Sequence, residues 1–170
     1  HPRFDREGAR IMIDWAFEGR RAMYSLPSRK ADRLPKALTI ITVPMAFDGP
    51  TMSALRYVHA MDLSRLQVDF VAINDPPEAI RREISELGAK LYIVGGRLKN
   101  PIAYLWKLMR IARAGDYDIV HAHGNSCTLA IEMLAALLGG AKTRVAHSHN
   151  TSCKYLTAHK LLRPLFDRLY

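Results

Sequence analysis

The chain has 170 residues, 49% of them hydrophobic and 24% charged, which fits one globular domain with a sizeable core. The formal net charge of +9 suits anionic partners such as phosphates, nucleotide diphosphates or acidic lipid surfaces. Nucleic acid is not an expected partner, because no helix-turn-helix, zinc-finger or RNA-binding signature accompanies the charge. The sequence has no run apolar enough for a membrane span or signal peptide and only two cysteines, so we expect a cytoplasmic protein without a disulfide framework.

The first residues form a compositional zone of their own. Residues 1–36 carry nine basic and five acidic residues, and residues 5–26 have a loosely amphipathic pattern that predicts a helix. We interpret this zone as a helical, basic N-terminal extension and residues 37–170 as the folded domain. A basic helix that carries Trp15 and Phe17 could rest on an anionic membrane, so peripheral association at the inner face of the membrane is an expectation as well.

From residue 38 onward, short apolar or β-branched runs alternate with segments of helical periodicity. A loop containing Asp48 and Gly49 follows the first run, and Asp48 or Thr51 is suited to cap the next helix. A glycine here lets backbone amides approach a phosphate or sugar, but the Gly-x-Gly-x-x-Gly fingerprint of NAD enzymes is absent. The predicted strands cover 38–43, 67–73, 90–94 and the two apolar runs that end at His123 and His149.

These last two runs are copies of one short pattern. Each ends in His-x-His, with His121 and His123 in the first copy and His147 and His149 in the second, and Ser-Cys follows three residues later. Residues 128–140, between the copies, have helical periodicity. Two strands joined by such a helix should lie parallel, so both histidine pairs are expected at the same edge of one sheet, where ligands bind.

The order of elements is β-α-β-α-β-α-β-α-β-α. It predicts an α/β fold, a Rossmann-like doubly wound parallel sheet of five or more strands in the order 3-2-1-4-5. This order places the topological switch point between the first and fourth strands. There, the loop formed by Asp48, Gly49 and Pro50 would face His121 and His123.

The histidines have three interpretations. The end residue of each pair, His123 or His149, should lie nearest the cleft, where a neutral imidazole can hydrogen-bond sugar hydroxyls or assist charge movement on a phosphate. His121 and His147, deeper in the strands, could instead be core residues satisfied by their neighbours. A zinc site is chemically credible, but no acidic residue accompanies the histidines and their spacing matches no usual closed site, so no metal is predicted.

Several segments together resemble the N-terminal half of bacterial GT-B glycosyltransferases, in particular the family 4 retaining enzymes of capsule and exopolysaccharide synthesis. The most specific segments are Asp118–His123 (Asp-Ile-Val-His-Ala-His) and Ala146–Asn150 (Ala-His-Ser-His-Asn). The less specific ones are Thr39–Val43 with its glycine loop, Asp69–Val71 and Glu83–Gly88. The resemblance covers about residues 37 to 170 and implies an acceptor-binding Rossmann-like domain. A second such domain would hold the nucleotide sugar, with catalysis in the cleft between the two.

The resemblance also implies roles for individual residues. His123 would be the catalytic residue near the transferred sugar, His149 would line the acceptor side, and Gly49 would approach the donor diphosphate or the acceptor. The substrate-binding residues implied in this way are Asp48, Gly49, His121, Asn125, His149 and Asn150. The family often has Gly-Gly in the first loop, whereas here Pro50 follows Gly49 and offers no amide donor.

The implied function is the acceptor-binding domain of a retaining, hexosyltransferase-type enzyme of polysaccharide biosynthesis. It would transfer a sugar from a nucleotide sugar, expected to be a UDP-sugar, to a glycan or lipid-linked acceptor without a cofactor. The C-terminal donor domain is absent from this sequence, so the fragment alone is expected to be inactive. Two alternatives stay open: a metal-dependent hydrolase that uses the His-x-His pairs, and a non-catalytic Rossmann-like module for binding or membrane docking. Arg97, Lys99 and Lys154 are interpreted as solvated residues that can attract an anionic acceptor.

Overall fold

The computed structural model describes residues 33–97, 99–149, 161, 163–165 and 168, within which strands and helices alternate. The elements are β1 (Lys36–Ile41), α1 (Gly49–Ala60), β2 (Gln67–Ala72), α2 (Glu78–Glu86), β3 (Leu91–Ile93), α3 (Pro101–Gly115), β4 (Ile119–Gly124), a 3₁₀ turn (Ser126–Leu129), α4 (Ala130–Leu138) and β5 (Thr143–Ser148).

Some expectations fall outside the described residues. These are the predicted helix over residues 5–26, Asn150 and Lys154. The first strand begins at Lys36, one residue before the predicted start of the folded domain and two before the predicted strand. The backbone ladder explains the earlier start, because Lys36 already lies opposite Gln67 of β2.

The five strands form one sheet in the order β3-β2-β1-β4-β5, and every pair of neighbours is parallel. The predicted order 3-2-1-4-5 is therefore confirmed. Ala37 of β1 lies opposite Val68 of β2 on one side and Ile119 of β4 on the other. Strand β1 is thus central, and the switch point lies between β1 and β4 as expected.

The two faces of the sheet are covered by different helices. Leu38 and Ile40 of β1 face α3 and α4, whereas Ile41 of the same strand belongs to the core formed with α1 and α2. Side chains alternate between the faces of a strand, and Ile119 of β4 packs on the side of α1 and α2. His121 and His123 therefore point to that same side, and α1 contacts both β1 and β4.

Side chains at the starts of α1 and α3 hold these helices in place. The Asp48 carboxylate accepts a hydrogen bond from the amide of Thr51 at 3.0 Å, and the Asn100 side chain accepts one from the amide of Ala103 at 2.9 Å. Each helix also has a proline in its first turn. Caps of this kind satisfy amides that have no partner within the helix, and the Asp48 cap confirms the predicted start of α1.

Arg97 is not the solvated residue expected from the sequence. Its guanidinium donates to both carboxylate oxygens of Glu132, at 3.0 and 3.1 Å, and to the carbonyl oxygen of Thr128 at 3.0 Å. Glu132 is fully buried on α4 and also accepts a hydrogen bond from the Tyr104 hydroxyl at 2.8 Å. Arg97 is drawn inward because a carboxylate in the core needs an ionic partner.

Candidate functional site at the carboxyl edge of the sheet

Both His-x-His segments reach the same edge of the sheet. His123 of β4 lies directly opposite His147 of β5, and the amide of His149 donates to the carbonyl of Gly124 at 2.9 Å. On the other side of β4, the amide of Thr42 donates to the carbonyl of His123 at 3.0 Å. The predicted convergence of the two copies is confirmed, and it results from parallel pairing in register.

The four imidazoles form one contiguous group, here called the histidine cluster: His121, His123, His147 and His149. The ring centroids of His121 and His123 are 4.0 Å apart, those of His123 and His147 are 4.8 Å apart, and those of His147 and His149 are 4.6 Å apart. A side-chain hydrogen bond of 3.1 Å joins Nδ1 of His123 to Nε2 of His149. The cluster therefore connects the interior of the sheet to its rim.

Tyr57 of α1 packs beside the cluster and was not identified from the sequence. Its ring centroid lies 5.8 Å from that of His147 and 6.3 Å from that of His123. The available signal was helical spacing, because Tyr57 comes three residues after Ala54, which is buried against the sheet. Nothing in the sequence marks the histidines as its neighbours, since α1 is far from them in the chain.

The depths of the histidines differ from the expected order. His123 is fully buried, with 0% exposure, whereas His121, His147 and His149 are only partly buried. The expectation that the end residue lies nearest the cleft is thus wrong for the first pair. Position in the sheet accounts for the difference between His123 and the second pair: β4 lies between β1 and β5 and beneath α1, whereas β5 has a strand neighbour on one side only among the described strands.

Two buried ring nitrogens of the cluster also lack the hydrogen-bond partners that a core histidine needs. Within the described part of the chain, Nε2 of His121 and Nε2 of His123 are buried and have no hydrogen-bond partner. The alternative that His121 is a core residue satisfied by its neighbours is therefore not supported. Buried polar atoms without partners are rare in folded proteins and call for an explanation.

Burial keeps the cluster uncharged near neutral pH. Together with the neighbouring imidazoles, it lowers the pKa of His121 to about 4 and that of His123 to about 2. Burial also lowers the pKa of His147 and, at the rim, that of His149, where the Asp48 carboxylate acts in the opposite direction. Neutral imidazoles can donate and accept hydrogen bonds or bind a metal through a lone pair.

Three of the rings are close enough together to hold a metal ion. His121, His123 and His147 each offer one nitrogen, and these three atoms lie within 4.8 Å of one another. No carboxylate belongs to this set. The donors are therefore all neutral nitrogen atoms, which suit zinc and other first-row transition metals better than magnesium or calcium.

The loop after β1 forms the other side of the rim. Asp48 acts electrostatically on His149, which agrees with the predicted position of this loop facing the histidine pairs. Gly49 is exposed, and no heavy atom lies within 4 Å of the position that a Cβ would take. Asn125 follows β4 directly and is partly buried, and its carbonyl accepts the amide of Thr128 at 3.2 Å. The rim therefore brings Asp48, Gly49, Asn125 and His149 to one edge of the sheet.

A doubly wound parallel sheet with a polar switch point at its carboxyl edge defines a Rossmann-like ligand-binding domain. The family named Glycosyltransferase Family 4 matches residues 47–170, well over half of the chain. The chain therefore belongs to glycosyltransferase family 4.

One relative supports this assignment. The chain is 36% identical over 108 residues to the Bacillus subtilis (strain 168) protein EpsF, to which glycosyltransferase activity is ascribed. The match covers 62% of this chain and 28% of that protein, so the chain corresponds to little more than a quarter of its relative.

Proposed function

We propose that this chain is the acceptor-binding domain of a retaining, hexosyltransferase-type glycosyltransferase of polysaccharide biosynthesis. It takes part in moving a sugar from a nucleotide sugar, with UDP-sugar as the proposed donor, to a hydroxyl of a glycan or lipid-linked acceptor. The observation that carries this proposal is the meeting of His149, Asp48 and Gly49 at the carboxyl edge of the sheet in a family 4 chain.

The rim has the chemistry of a sugar-binding surface. His149 is partly exposed and uncharged, so it can exchange hydrogen bonds with hydroxyl groups. The Asp48 carboxylate occupies the N-terminus of α1, the position where a helix would otherwise attract a phosphate. Its negative charge favours acceptor hydroxyls over the donor diphosphate. The open space at Gly49 lets a sugar ring approach the backbone.

His123 has an indirect role in this proposal. Its ring is fully buried, and its Nδ1 is hydrogen bonded to His149. In this arrangement His123 orients the His149 ring and selects its tautomer. Direct contact between His123 and the transferred sugar, which the resemblance implies, would require His149 to move aside.

The donor side of the reaction belongs in this proposal to a second Rossmann-like domain. The rim carries the Asp48 carboxylate, Asn125 and the His149 imidazole. The negative charge of Asp48 disfavours binding of a diphosphate there. We expect this chain alone to bind acceptor without turning over. Tight binding of a UDP-sugar by the isolated chain would contradict this division between domains.

Replacing His149 with alanine tests the sugar-binding rim. In a chain that also carries the nucleotide-sugar domain, we expect kcat/KM to fall by about 10- to 100-fold, equivalent to roughly 1.4–2.7 kcal/mol of transition-state stabilisation. The measurement is release of the nucleoside diphosphate from a panel of nucleotide sugars. His59→Ala is the matched control, since His59 is exposed on α1 and pairs with Glu83 at 2.8 Å. Equal losses in both variants, or no loss in His149→Ala, would contradict the proposed role.

Association with an anionic membrane is a second part of the proposal. None of the described helices is long and apolar enough to cross a bilayer. The outer surface of α3 and β3 instead exposes large apolar side chains: Ile102 at 77%, Trp106 at 55% and Ile93 at 52%. The guanidinium of Arg110 lies 5.0 Å from the centre of the Trp106 ring. Aromatic and aliphatic groups beside cations are typical of protein surfaces that bind the headgroup region of a bilayer.

Positive charge continues from this surface into a groove. The groove has a volume of about 640 Å³ and is lined mainly by residues of β3 and α3. Four basic side chains also line it: Lys36 at the start of β1, Lys90 just before β3, and Lys107 and Arg110 on α3. Each basic side chain near an anionic bilayer contributes about 1 kcal/mol to binding. This charge, together with the exposed apolar groups, favours acidic lipid over a neutral protein partner.

Co-sedimentation with vesicles tests the membrane surface. We expect the chain to bind phosphatidylglycerol vesicles at least tenfold more tightly than phosphatidylcholine vesicles. Lys107→Glu/Arg110→Glu should remove most of this difference, since reversing two charges makes the net charge next to the lipid about four units more negative. The control is Arg56→Glu/Arg82→Glu, which makes the same charge change at exposed positions of α1 and α2, on the other face of the sheet. Equal binding by both variants would overturn the assignment of this surface.

A further inference from the structure

We propose that His121, His123 and His147 form a binding site for a divalent transition-metal ion, with Zn²⁺ as the best match. Each residue contributes one ring nitrogen, and the three nitrogen atoms lie within 4.8 Å of one another. This inference does not depend on sugar transfer. It concerns the deep part of the histidine cluster, beneath the rim where His149 lies.

The strongest support comes from ring atoms that have no partner. Nε2 of His121 and Nε2 of His123 are both buried, and neither has a hydrogen-bond partner in the described part of the chain. Each costs free energy in the interior unless another group satisfies it. A metal ion between the rings would satisfy both atoms at once, whereas a proton on either ring would place a charge beside three other imidazoles.

The second ring nitrogen of His123 has the partner that a metal ligand usually has. Its Nδ1 lies 3.1 Å from Nε2 of His149. If Nδ1 carries the proton and donates it to His149, the lone pair of His123 is on Nε2 and faces the buried interior. Histidines that bind metals commonly donate the other ring N–H to a neighbouring group, which sets their tautomer. His149 would then be the outer partner of the site.

The geometry requires only a small closure. Zinc binds histidine nitrogens at about 2.0–2.1 Å, so three nitrogens spaced at the limit of 4.8 Å would each move inward by roughly 0.7 Å. His147 is on β5, whose residues are only partly buried, so this strand can shift more easily than β4. The ion would tie the carboxyl ends of β4 and β5 together directly beneath the rim.

Metal analysis of the untagged 170-residue chain tests the site. After treatment with a chelator and equilibrium dialysis against Zn²⁺, we expect one zinc per chain, together with a rise in the melting temperature. Co²⁺ in place of Zn²⁺ should give the intense visible absorption of a tetrahedral site. His147→Asn should weaken zinc binding by at least 100-fold, because it removes a ligand from a partly buried position without opening the core.

Two controls make the result decisive. His59→Ala removes an exposed histidine outside the cluster and should still bind one zinc with unchanged affinity. Cobalt absorption is read on the wild-type chain, so it gives an answer even if His147→Asn fails to fold. Less than 0.1 zinc per wild-type chain, a weak octahedral cobalt spectrum, or unchanged zinc affinity in folded His147→Asn would each overturn the proposal.

Discussion

Replacing Arg97 with alanine should lower the free energy of unfolding by about 3–5 kcal/mol, which is the usual cost of leaving one partner of a buried ion pair unpaired. The side chain of Arg97 is 16% exposed and that of Glu132 is 0% exposed, and the closest contact between their charged atoms is 3.0 Å. Burial raises the pKa of Glu132, while the Arg97 guanidinium opposes this shift. Without Arg97, the carboxyl group would either stay charged in the core or take up a proton.

Urea unfolding of the wild type and three variants measures this effect. Arg97→Lys should recover only part of the stability, because a single ammonium nitrogen cannot replace the two guanidinium nitrogens that contact the Glu132 carboxylate and the Thr128 hydroxyl. Arg81→Ala is the matched control: Arg81 pairs with Asp75 and Glu78 at an exposed position, so its loss should cost about 0–1 kcal/mol. Similar losses of unfolding free energy for Arg97→Ala and Arg81→Ala would show that the buried ion pair stabilises the fold no more than an exposed one.

Arg97→Ala should also affect the rim. Arg97 donates to the carbonyl and the side-chain oxygen of Thr128, at 3.0 and 2.9 Å, and thereby holds the 3₁₀ turn that follows Asn125. A stability loss of this size is a large part of the 5–15 kcal/mol typical of a whole domain. The Arg97–Glu132 ion pair therefore links the packing of α3 and α4 to the position of the 3₁₀ turn beside the candidate site.

The metal-free chain should lose about 4 kcal/mol of stability between pH 7 and pH 5 through His121 and His123 alone. Both have folded-state pKa values far below the ordinary 6.5, at about 4 and about 2. As the pH falls below 6.5, the unfolded chain takes up protons on these residues while the folded chain does not. The unfolded state is therefore favoured by acid, and the stability is recovered as the pH rises through 6.5.

Denaturant unfolding in the presence of a chelator, repeated at several pH values, gives the slope directly. His121→Asn/His123→Asn should remove most of the pH dependence between pH 7 and pH 5, because asparagine does not titrate. A wild-type stability that is constant over this range would contradict the buried, neutral state of the cluster.

The topology and the meeting of the two His-x-His segments could be predicted because they depend on local and repeated features. Alternating periodicity identifies strands and helices, and a helix between two strands requires them to be parallel. Parallel pairing brings both histidine pairs to the same edge, whereas the register that sets His123 opposite His147 was not predicted. The cap at Asp48 could also be predicted, since it needs only an acceptor side chain three positions before the Thr51 amide.

Other features of the site could not be found in this way because they depend on distant partners. Tyr57 and the histidines are far apart in the chain, and no local pattern links them. Arg97 was interpreted as solvated because it lies in a basic loop between two elements, whereas its partner Glu132 lies on α4, 35 residues further along the chain.

The sequence by itself determined the order of the elements, the parallel sheet and the edge at which the histidines emerge, because each follows from periodicity and short connections. Only the tertiary structure decided how deep each imidazole lies. His123 is buried because β4 is an inner strand beneath α1, and His149 reaches the rim because it follows β5. Depth depends on which elements pack over a strand, and a hydrogen bond such as that between His123 and His149 exists only once two strands are in register.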